Sequence, residues 1–400
     1  MPGDTNHRGC RNSGPRARLT PRPPPGRAAG EGHQISSEQM DNNMPRIPVG
    51  RRSLLRAAAV AGAVLPALVS GNRVFAGSRP ADPAAALLNP EICRASFKAP
   101  VVLATTRALK ISFNAGAVCT VGVPVAKEKG FFANHNLDVE LVNFGGSTDQ
   151  LLEAIGTGKT DAGVGMALRW LKPLEAGFDV KIAAGIHGGC LRLFAKPGSG
   201  IASPADLRGK RIGVSDLTAP DHNFFAVFLR NLGIDPNTEV DWRVFAADIL
   251  PVALQKGEID AFSLSDPLGW IARERDGLVE LANNLSGEFA HRTCCVLGLR
   301  GSLVRQERDT ATALVQALLE AQSWVALNPD GAAAVYAPYA KAKPEQLAAM
   351  LRSHTHGEHP LGADLRANIA AYAAELKAVG VIKASTDPVR YAERVTVDVL

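Results

Sequence analysis

The sequence predicts an α/β protein with two lobes, each a mostly parallel sheet flanked by helices. Short apolar runs alternate with segments of helical periodicity from residue 108 to about residue 299, a pattern typical of βα units. The alternation starts a second time near residue 206, and the chain beyond residue 309 shows helical periodicity alone. Two βα series and a helical C-terminal part favour two α/β lobes over one continuous sheet.

The first βα series follows a regular order of strands and helices. Apolar runs predict strands at 109–113, 139–144, 161–166 and 180–186. Pro124 suits the first turn of the helix after the first strand, and Gly130 marks its end. Ser147, with Gln150 three residues later, forms a capping box that would open the next helix.

The second series begins at 206–214, DLRGKRIGV, where a short helix ends at Gly209 and a strand follows. Thr218 and Asp221 predict a second capping box, for a helix that ends at Gly233. The remaining elements are strands at 240–245, 261–265 and 293–299, then helices at about 309–327, 344–353 and 363–379.

The positive charge of the chain is concentrated at its N-terminus. The 400 residues carry a formal charge of +5, with 46% hydrophobic and 21% charged residues, as in globular proteins of more than one domain. Residues 1–76 hold eleven arginines against four acids, a charge of +7, which leaves −2 for the rest. The body therefore has no basic character that would favour a nucleic-acid partner.

The N-terminal segment is interpreted as an export leader. Residues 1–43 are rich in Pro, Gly and Arg, and are either a disordered extension or an early start assignment ahead of Met44. The arginine pair 51–52 precedes an apolar run at 57–69, too short to span a bilayer, and Ala76 marks a plausible cleavage point. This resembles a twin-arginine signal and predicts a periplasmic protein, with an uncleaved anchor or a buried helix as alternatives.

Several familiar catalytic and metal motifs are absent. The segment 156–160 ends like a phosphate loop, but Glu153 stands where that loop needs glycine. No C-x-x-C, H-E-x-x-H or strand-linked G-x-G-x-x-G occurs. His354, His356 and His359 are spaced like metal ligands, yet their Gly- and Pro-containing surroundings favour a solvated loop. No cofactor and no metal site is therefore predicted.

Four ordered blocks resemble the nitrate, sulfonate, taurine and pyrimidine-precursor binding proteins of ABC importers. The resemblance covers about 109–299, and more loosely the chain to its end. The blocks are 123–132 (VPVAKEKGFF, followed by LDVEL), 151–163 (LLEAIGTGKTDAG), 206–214 (DLRGKRIGV) and 254–261 (LQKGEIDA).

This resemblance implies a two-lobed periplasmic binding protein fold with two hinge strands and a ligand cleft between the lobes. Lobe 1 would comprise 108–192 plus 293–400, and lobe 2 would comprise 193–292, after the leader 1–76 and a flexible spacer 77–107. The expected partners are a small-molecule ligand and the ABC permease subunits in the membrane. The protein is expected to be a monomer without catalytic activity.

Two helix N-termini, at 145–148 and 218–221, would each offer free backbone N–H groups to an anion at strand ends. Positions matching the family add further residues around the cleft. The expected ligand-binding residues are Asn114, Gly116, Cys119, Gly145, Gly146, Ser147, Met166, His187, Cys190, Thr218, Asp221, His222, Ser265 and Asp266.

Two carboxylates facing one cleft would repel an anion unless a cation offsets them. Asp221 and Asp266 therefore make a cationic, zwitterionic or heterocyclic ligand as open a possibility as nitrate or a sulfonate. Each also has a structural alternative: Asp221 as a helix cap, Asp266 as a turn residue before Pro267. His187 has the alternative of pointing away from the cleft.

The cysteines leave three alternatives open. Cleavage after Ala76 would keep an odd number of them, Cys93, Cys119, Cys190, Cys294 and Cys295. Because Cys190 and the adjacent pair Cys294–Cys295 fall near the expected hinge strands, a disulfide, buried free thiols, or a metal or redox role are all compatible with the sequence.

Two other functions remain as alternatives. The yeast-type pyrimidine-precursor synthases share the fold that the resemblance implies and use cysteines and histidines around iron, but the export signal argues against a cytosolic biosynthetic role. A periplasmic sensor subunit would have the same features as a transport component.

Overall fold

The computed structural model describes residues 99–144, 148–354 and 359–400, without the side chains of residues 148 and 149. The predicted leader, Cys93, His356 and the site residues Gly145, Gly146 and Ser147 lie outside this description, as does the first predicted capping box. Within the described residues, no helix is long and apolar enough to cross a membrane.

Ten strands in the described part of the chain form two five-stranded sheets. They are β1 (Arg107–Phe113), β2 (Leu137–Asn143), β3 (Ala162–Met166), β4 (Val180–His187), β5 (Leu191–Ala195), β6 (Arg211–Val214), β7 (Asp241–Val244), β8 (Ala261–Ser265), β9 (Val279–Asn283) and β10 (Cys295–Arg300). The strand orders are β2-β1-β3-β10-β4 and β7-β6-β8-β5-β9. The predicted two-lobed α/β fold is confirmed.

The helices cover the sheets and build the C-terminal part. They are α1 (Gly122–Glu128), α2 (Phe131–Asn134), α3 (Thr148–Gly156), α4 (Ala167–Glu175), α5 (Pro220–Asn231), α6 (Leu250–Gln255), α7 (Leu268–Asp276), α8 (Gly301–Gln306), α9 (Arg308–Leu327), α10 (Pro329–Ala340), α11 (Pro344–Arg352), α12 (Gly362–Ala378) and α13 (Pro388–Val395). Helices α2, α4, α7, α8, α10 and α13 were not predicted from the sequence.

The chain passes between the sheets twice. The first crossover, 188–190, joins β4 to β5, and the second crossover, 284–294, joins β9 to β10. The strand after each crossover is the antiparallel member of its sheet: β5 runs against β8 and β9, and β10 runs against β3 and β4. Strands β5 and β9 were not predicted from the sequence.

Glycines in β3 let neighbouring elements approach the first sheet closely. A Cβ at Gly165 would lie 2.3 Å from Cζ2 of Trp170, a ring that is fully buried. Trp170 on α4 is therefore part of the core. Trp270 packs under the guanidinium of Arg273, 4.1 Å from its ring centroid.

We expect Gly165→Ala to destabilise the first lobe by about 1–3 kcal/mol, because the added methyl group would force the buried indole out of its rotamer. The free energy of unfolding from urea denaturation of the ligand-free protein measures this effect. Gly116→Ala, at an exposed glycine, is the matched control. Equal stability of the two variants would contradict this account of the β3–α4 contact.

Candidate ligand-binding cleft

A cleft with a volume of about 350 Å³ lies between the two sheets. Its walls come from segments at the carboxyl ends of parallel strands in both lobes, the edge where ligands bind in open α/β sheets. The first lobe contributes Asn114, Ala117, Cys119, Thr120, Val164, Gly165, Met166 and Arg169, and the second contributes Ser215, Asp216, Ala219, Pro220, Asp221, Ala247 and Ser265.

An ion pair joins the two walls of the cleft. Arg169, in the first turn of α4, donates from Nη2 to Oδ2 of Asp216 over 3.2 Å. Partial burial opposes ionisation of Asp216, but hydrogen bonds from Thr218 and the charge of Arg169 lower the pKa of this carboxyl. Arg169 and Asp216 were not predicted as site residues. Their position directly after β3 and β6 was the available signal.

Asp221 is a buried carboxyl in the second-lobe wall. Its Oδ2 accepts a hydrogen bond of 2.8 Å from the hydroxyl of Ser263 on β8. Burial raises the pKa of Asp221 to about 6, although the Ser263 hydrogen bond acts in the opposite direction. The cleft therefore changes its charge in the slightly acidic range, from a neutral carboxyl to a carboxylate.

The raised pKa predicts a pH-dependent stability. The contribution of Asp221 to the free energy of unfolding is fully present below its ordinary pKa of 3.8. It is lost as the pH rises through about 6, because the folded state binds the proton more tightly than the unfolded state does. We expect Asp221→Asn to remove this loss. The free energy of unfolding of the variant minus that of the wild type should be larger at pH 7.5 than at pH 4, by up to about 3 kcal/mol.

Denaturant unfolding of the ligand-free protein at the two pH values measures the difference. Asp241→Asn, at an exposed carboxylate on β7, is the control and should show little pH-dependent change. A difference between Asp221→Asn and the wild type that is the same at both pH values would contradict the raised pKa.

Five predicted residues line the cleft: Asn114, Cys119, Met166, Asp221 and Ser265. Their role in binding a ligand stays a prediction.

Three further predicted residues lie elsewhere. Thr218 does not cap α5, which begins after Ala219; its backbone N–H and hydroxyl both donate to Oδ1 of Asp216. The second predicted capping box is therefore wrong. His222 packs edge-on against Trp242, with ring centroids 4.5 Å apart, and burial lowers its pKa. Gly116 lies in an exposed turn, where its N–H donates to the Asn114 side chain.

Asp266 and His187 are buried behind the cleft. The Asp266 carboxylate accepts hydrogen bonds from Nε of Arg192 at 2.8 Å and pairs with Nε2 of His354 at 2.7 Å. The His187 ring lies edge-on to the His354 ring, 5.2 Å between centroids. Neither predicted residue lines the cleft. The solvated-loop interpretation of His354 is also wrong, because its side chain is fully buried.

Asp266 joins segments that are distant in the sequence. Burial would raise its pKa, but hydrogen bonds and charges from His354 and Arg192 hold the pKa below its ordinary value. A second carboxylate, Glu280 on β9, accepts from Nη1 of Arg192 at 2.8 Å. Arg192 is itself almost completely buried. The carboxylate therefore balances a charge that has no access to solvent.

We expect Asp266→Ala to destabilise the protein by about 3–5 kcal/mol, because it leaves the buried guanidinium of Arg192 undercompensated. Urea denaturation at pH 7 measures this loss. The control is Asp330→Ala, which breaks an exposed ion pair with Arg352 and should cost no more than about 1 kcal/mol. A loss for Asp266→Ala as small as that of the control would refute a structural role for this carboxylate.

Four cysteines meet where the crossovers reach the floor of the cleft. Cys119, Cys190, Cys294 and Cys295 are all buried and free. Cys190 therefore faces other sulfur atoms rather than the cleft, and its Sγ lies 3.9 Å from that of Cys294. Hydrogen bonds from the thiols of Cys190 and Cys295 lower the pKa of Cys119 to about 6. No disulfide joins these four thiols, which disfavours the disulfide alternative and leaves buried thiols or a metal or redox role open.

Comparison with known proteins identifies relatives of the chain. A Brucella abortus protein named as a candidate binding protein is 28% identical over 251 residues, 62% of this chain and 76% of that protein. The bicarbonate-binding protein CmpA of Synechococcus is 24% identical over 50% of each chain. The periplasmic aliphatic sulphonate binding protein SsuA of Escherichia coli has the same fold, with a TM-score of 0.61 at 17% identity, covering 72% of this chain and 92% of SsuA.

A family match covers most of the residues that line the cleft. Residues 120–332, more than half of the chain, match the family described as NMT1/THI5 like. This range contains strands from both sheets and both crossovers. The chain therefore belongs to the NMT1/THI5-like family.

Proposed function

We propose that this protein is the periplasmic solute-binding component of an ABC importer. The observation that carries the proposal is the cleft of about 350 Å³, whose walls come from both lobes and which the Arg169–Asp216 ion pair bridges. A ligand that binds Arg169 on one wall and Asp216 on the other would draw the two lobes together. Relatives named as binding proteins support this role.

The charges in the cleft favour a small zwitterion or a neutral polar molecule over a simple inorganic anion. Arg169 and the N-terminal end of α5 can bind an acidic group. Asp216 and Asp221 stand in the same cleft and can bind an ammonium group or a ring N–H. An amino-sulfonate of taurine type carries both kinds of group, and a pyrimidine carries ring N–H donors.

The remaining parts of the proposal rest on the sequence. We propose export by the twin-arginine route with cleavage near Ala76, a monomeric mature protein, and delivery of the ligand to membrane permease subunits. We keep 108–192 plus 293–400 as lobe 1 and 193–292 as lobe 2. The ligand is bound and released without chemical change.

A thermal-shift screen tests the function. Taurine, alkanesulfonates, nitrate, bicarbonate and pyrimidines are added singly to the full chain. A true ligand at one hundred times its dissociation constant should stabilise the fold by about 2.7 kcal/mol. We expect the largest shift from a zwitterion or a pyrimidine. We expect Arg169→Met to abolish it, because that variant removes the positive charge of the cleft.

Arg305→Met is the matched control, since Arg305 pairs with Asp179 in an exposed ion pair on α8. It should keep the full ligand-induced shift. A shift with nitrate or bicarbonate alone would overturn the ligand class. Conversion of a pyrimidine precursor to product without any stabilising ligand would overturn the importer assignment in favour of an enzyme.

A further inference from the structure

The cysteine cluster at the floor of the cleft is not used by the proposed function. Three separate segments supply it: Cys119 from the turn after β1, Cys190 from the first crossover, and Cys294 and Cys295 from the end of the second crossover and the start of β10. All four side chains are at most 3% exposed.

The spacing of three sulfur atoms fits a metal ion. The Sγ atoms of Cys119, Cys190 and Cys295 all lie within 4.8 Å of one another. Zinc–thiolate bonds of about 2.3 Å place sulfur atoms about 4 Å apart around one ion. Small side-chain rotations would therefore bring all three sulfur atoms to bonding distance.

A second observation at the cluster is independent of the cysteines. The hydroxyl of Tyr336 on α10 is buried and has no hydrogen-bond partner among the described residues. Burial, and then charge on Cys119 and Cys190, raises the pKa of this hydroxyl. A buried hydroxyl without a partner is costly.

We propose that Cys119, Cys190 and Cys295 form a site for a soft, thiophilic metal ion, Zn(II) or Cu(I). Thiolates select these ions over the hard cations Mg(II) and Ca(II), which prefer oxygen. Each ligand thiol gives its proton to solvent as its sulfur–metal bond forms, so no oxidant or reductant is required. Cys119 also lines the cleft, which provides an entry path for the ion.

The site would link the first lobe to both crossovers, because its ligands come from each of these three segments. It does not depend on the identity of the organic ligand or on transport. A protein that binds no solute could still bind the ion, and the reverse also holds.

Metal binding is tested on the full chain, reduced and kept free of oxygen. Zn(II) or Cu(I) is added separately, unbound metal is removed by gel filtration, and the bound metal is counted by mass spectrometry. Cd(II) serves as a spectroscopic probe, since it gives an ultraviolet thiolate-to-metal band. We expect one ion per chain, and the Zn(II) and Cu(I) arms decide which ion binds more tightly.

Variants assign the ligands. Cys119→Ser, Cys190→Ser and Cys295→Ser should each weaken binding by roughly 100-fold or more, because loss of a ligand should exceed the effect of an outer-shell change. Cys294→Ser is the matched control: it removes an equally buried neighbouring thiol and keeps all three ligands. Cys93→Ser tests whether a cysteine outside the described residues contributes to binding, and it should leave binding unchanged. Circular dichroism confirms that each variant is folded.

Two results would overturn the proposal. The first is a reduced wild-type protein that retains neither Zn(II) nor Cu(I) and shows no Cd(II) band. The second is binding that survives all three ligand variants, or that Cys294→Ser abolishes as completely as they do.

Discussion

The ion pair between Asp266 and Arg192 is the contact on which the arrangement of the lobes depends. Besides its carboxylate contacts, Asp266 donates its backbone N–H to the carbonyl of Cys190, and its own carbonyl accepts from Val118. One residue thus touches the first crossover, the turn after β1, strand β5 and, through His354, the segment after α11. Because these groups are buried, breaking any one of them leaves a polar group without solvent.

This buried network separates structural charge from the charge available to a ligand. Asp266 and Arg192 neutralise one another behind the cleft, whereas Arg169, Asp216 and Asp221 remain at its surface. The cleft therefore contains one cation and two carboxyl groups, one of which has a pKa near 6. Its net charge depends on pH in the range where periplasmic and environmental conditions vary, which affects any charged ligand.

Most of the fold could be predicted because its signals are local. The periodicity is visible within a few residues in strands such as β1 and β8, and within a few turns in helices such as α9 and α12. The four ordered sequence blocks indicated the family. The two strands that were missed, β5 and β9, each lie next to a crossover, and several helices were missed as well. About a third of the proposed site residues line the cleft, and Arg169 and Asp216 were missed because their pairing crosses from one lobe to the other.

The sequence by itself determined the α/β class, the two series of elements, the basic N-terminal segment and the resemblance to binding proteins. Tertiary structure alone decided which polar groups face the cleft, and it brought Cys119, Cys190 and Cys295 together. Periodicity reports the face of one helix or strand, whereas a contact between residues far apart in sequence depends on how two lobes and two crossovers pack. That is why Asp221, in the first turn of α5, lines the cleft while Asp266, directly after β8, is buried against Arg192 and His354.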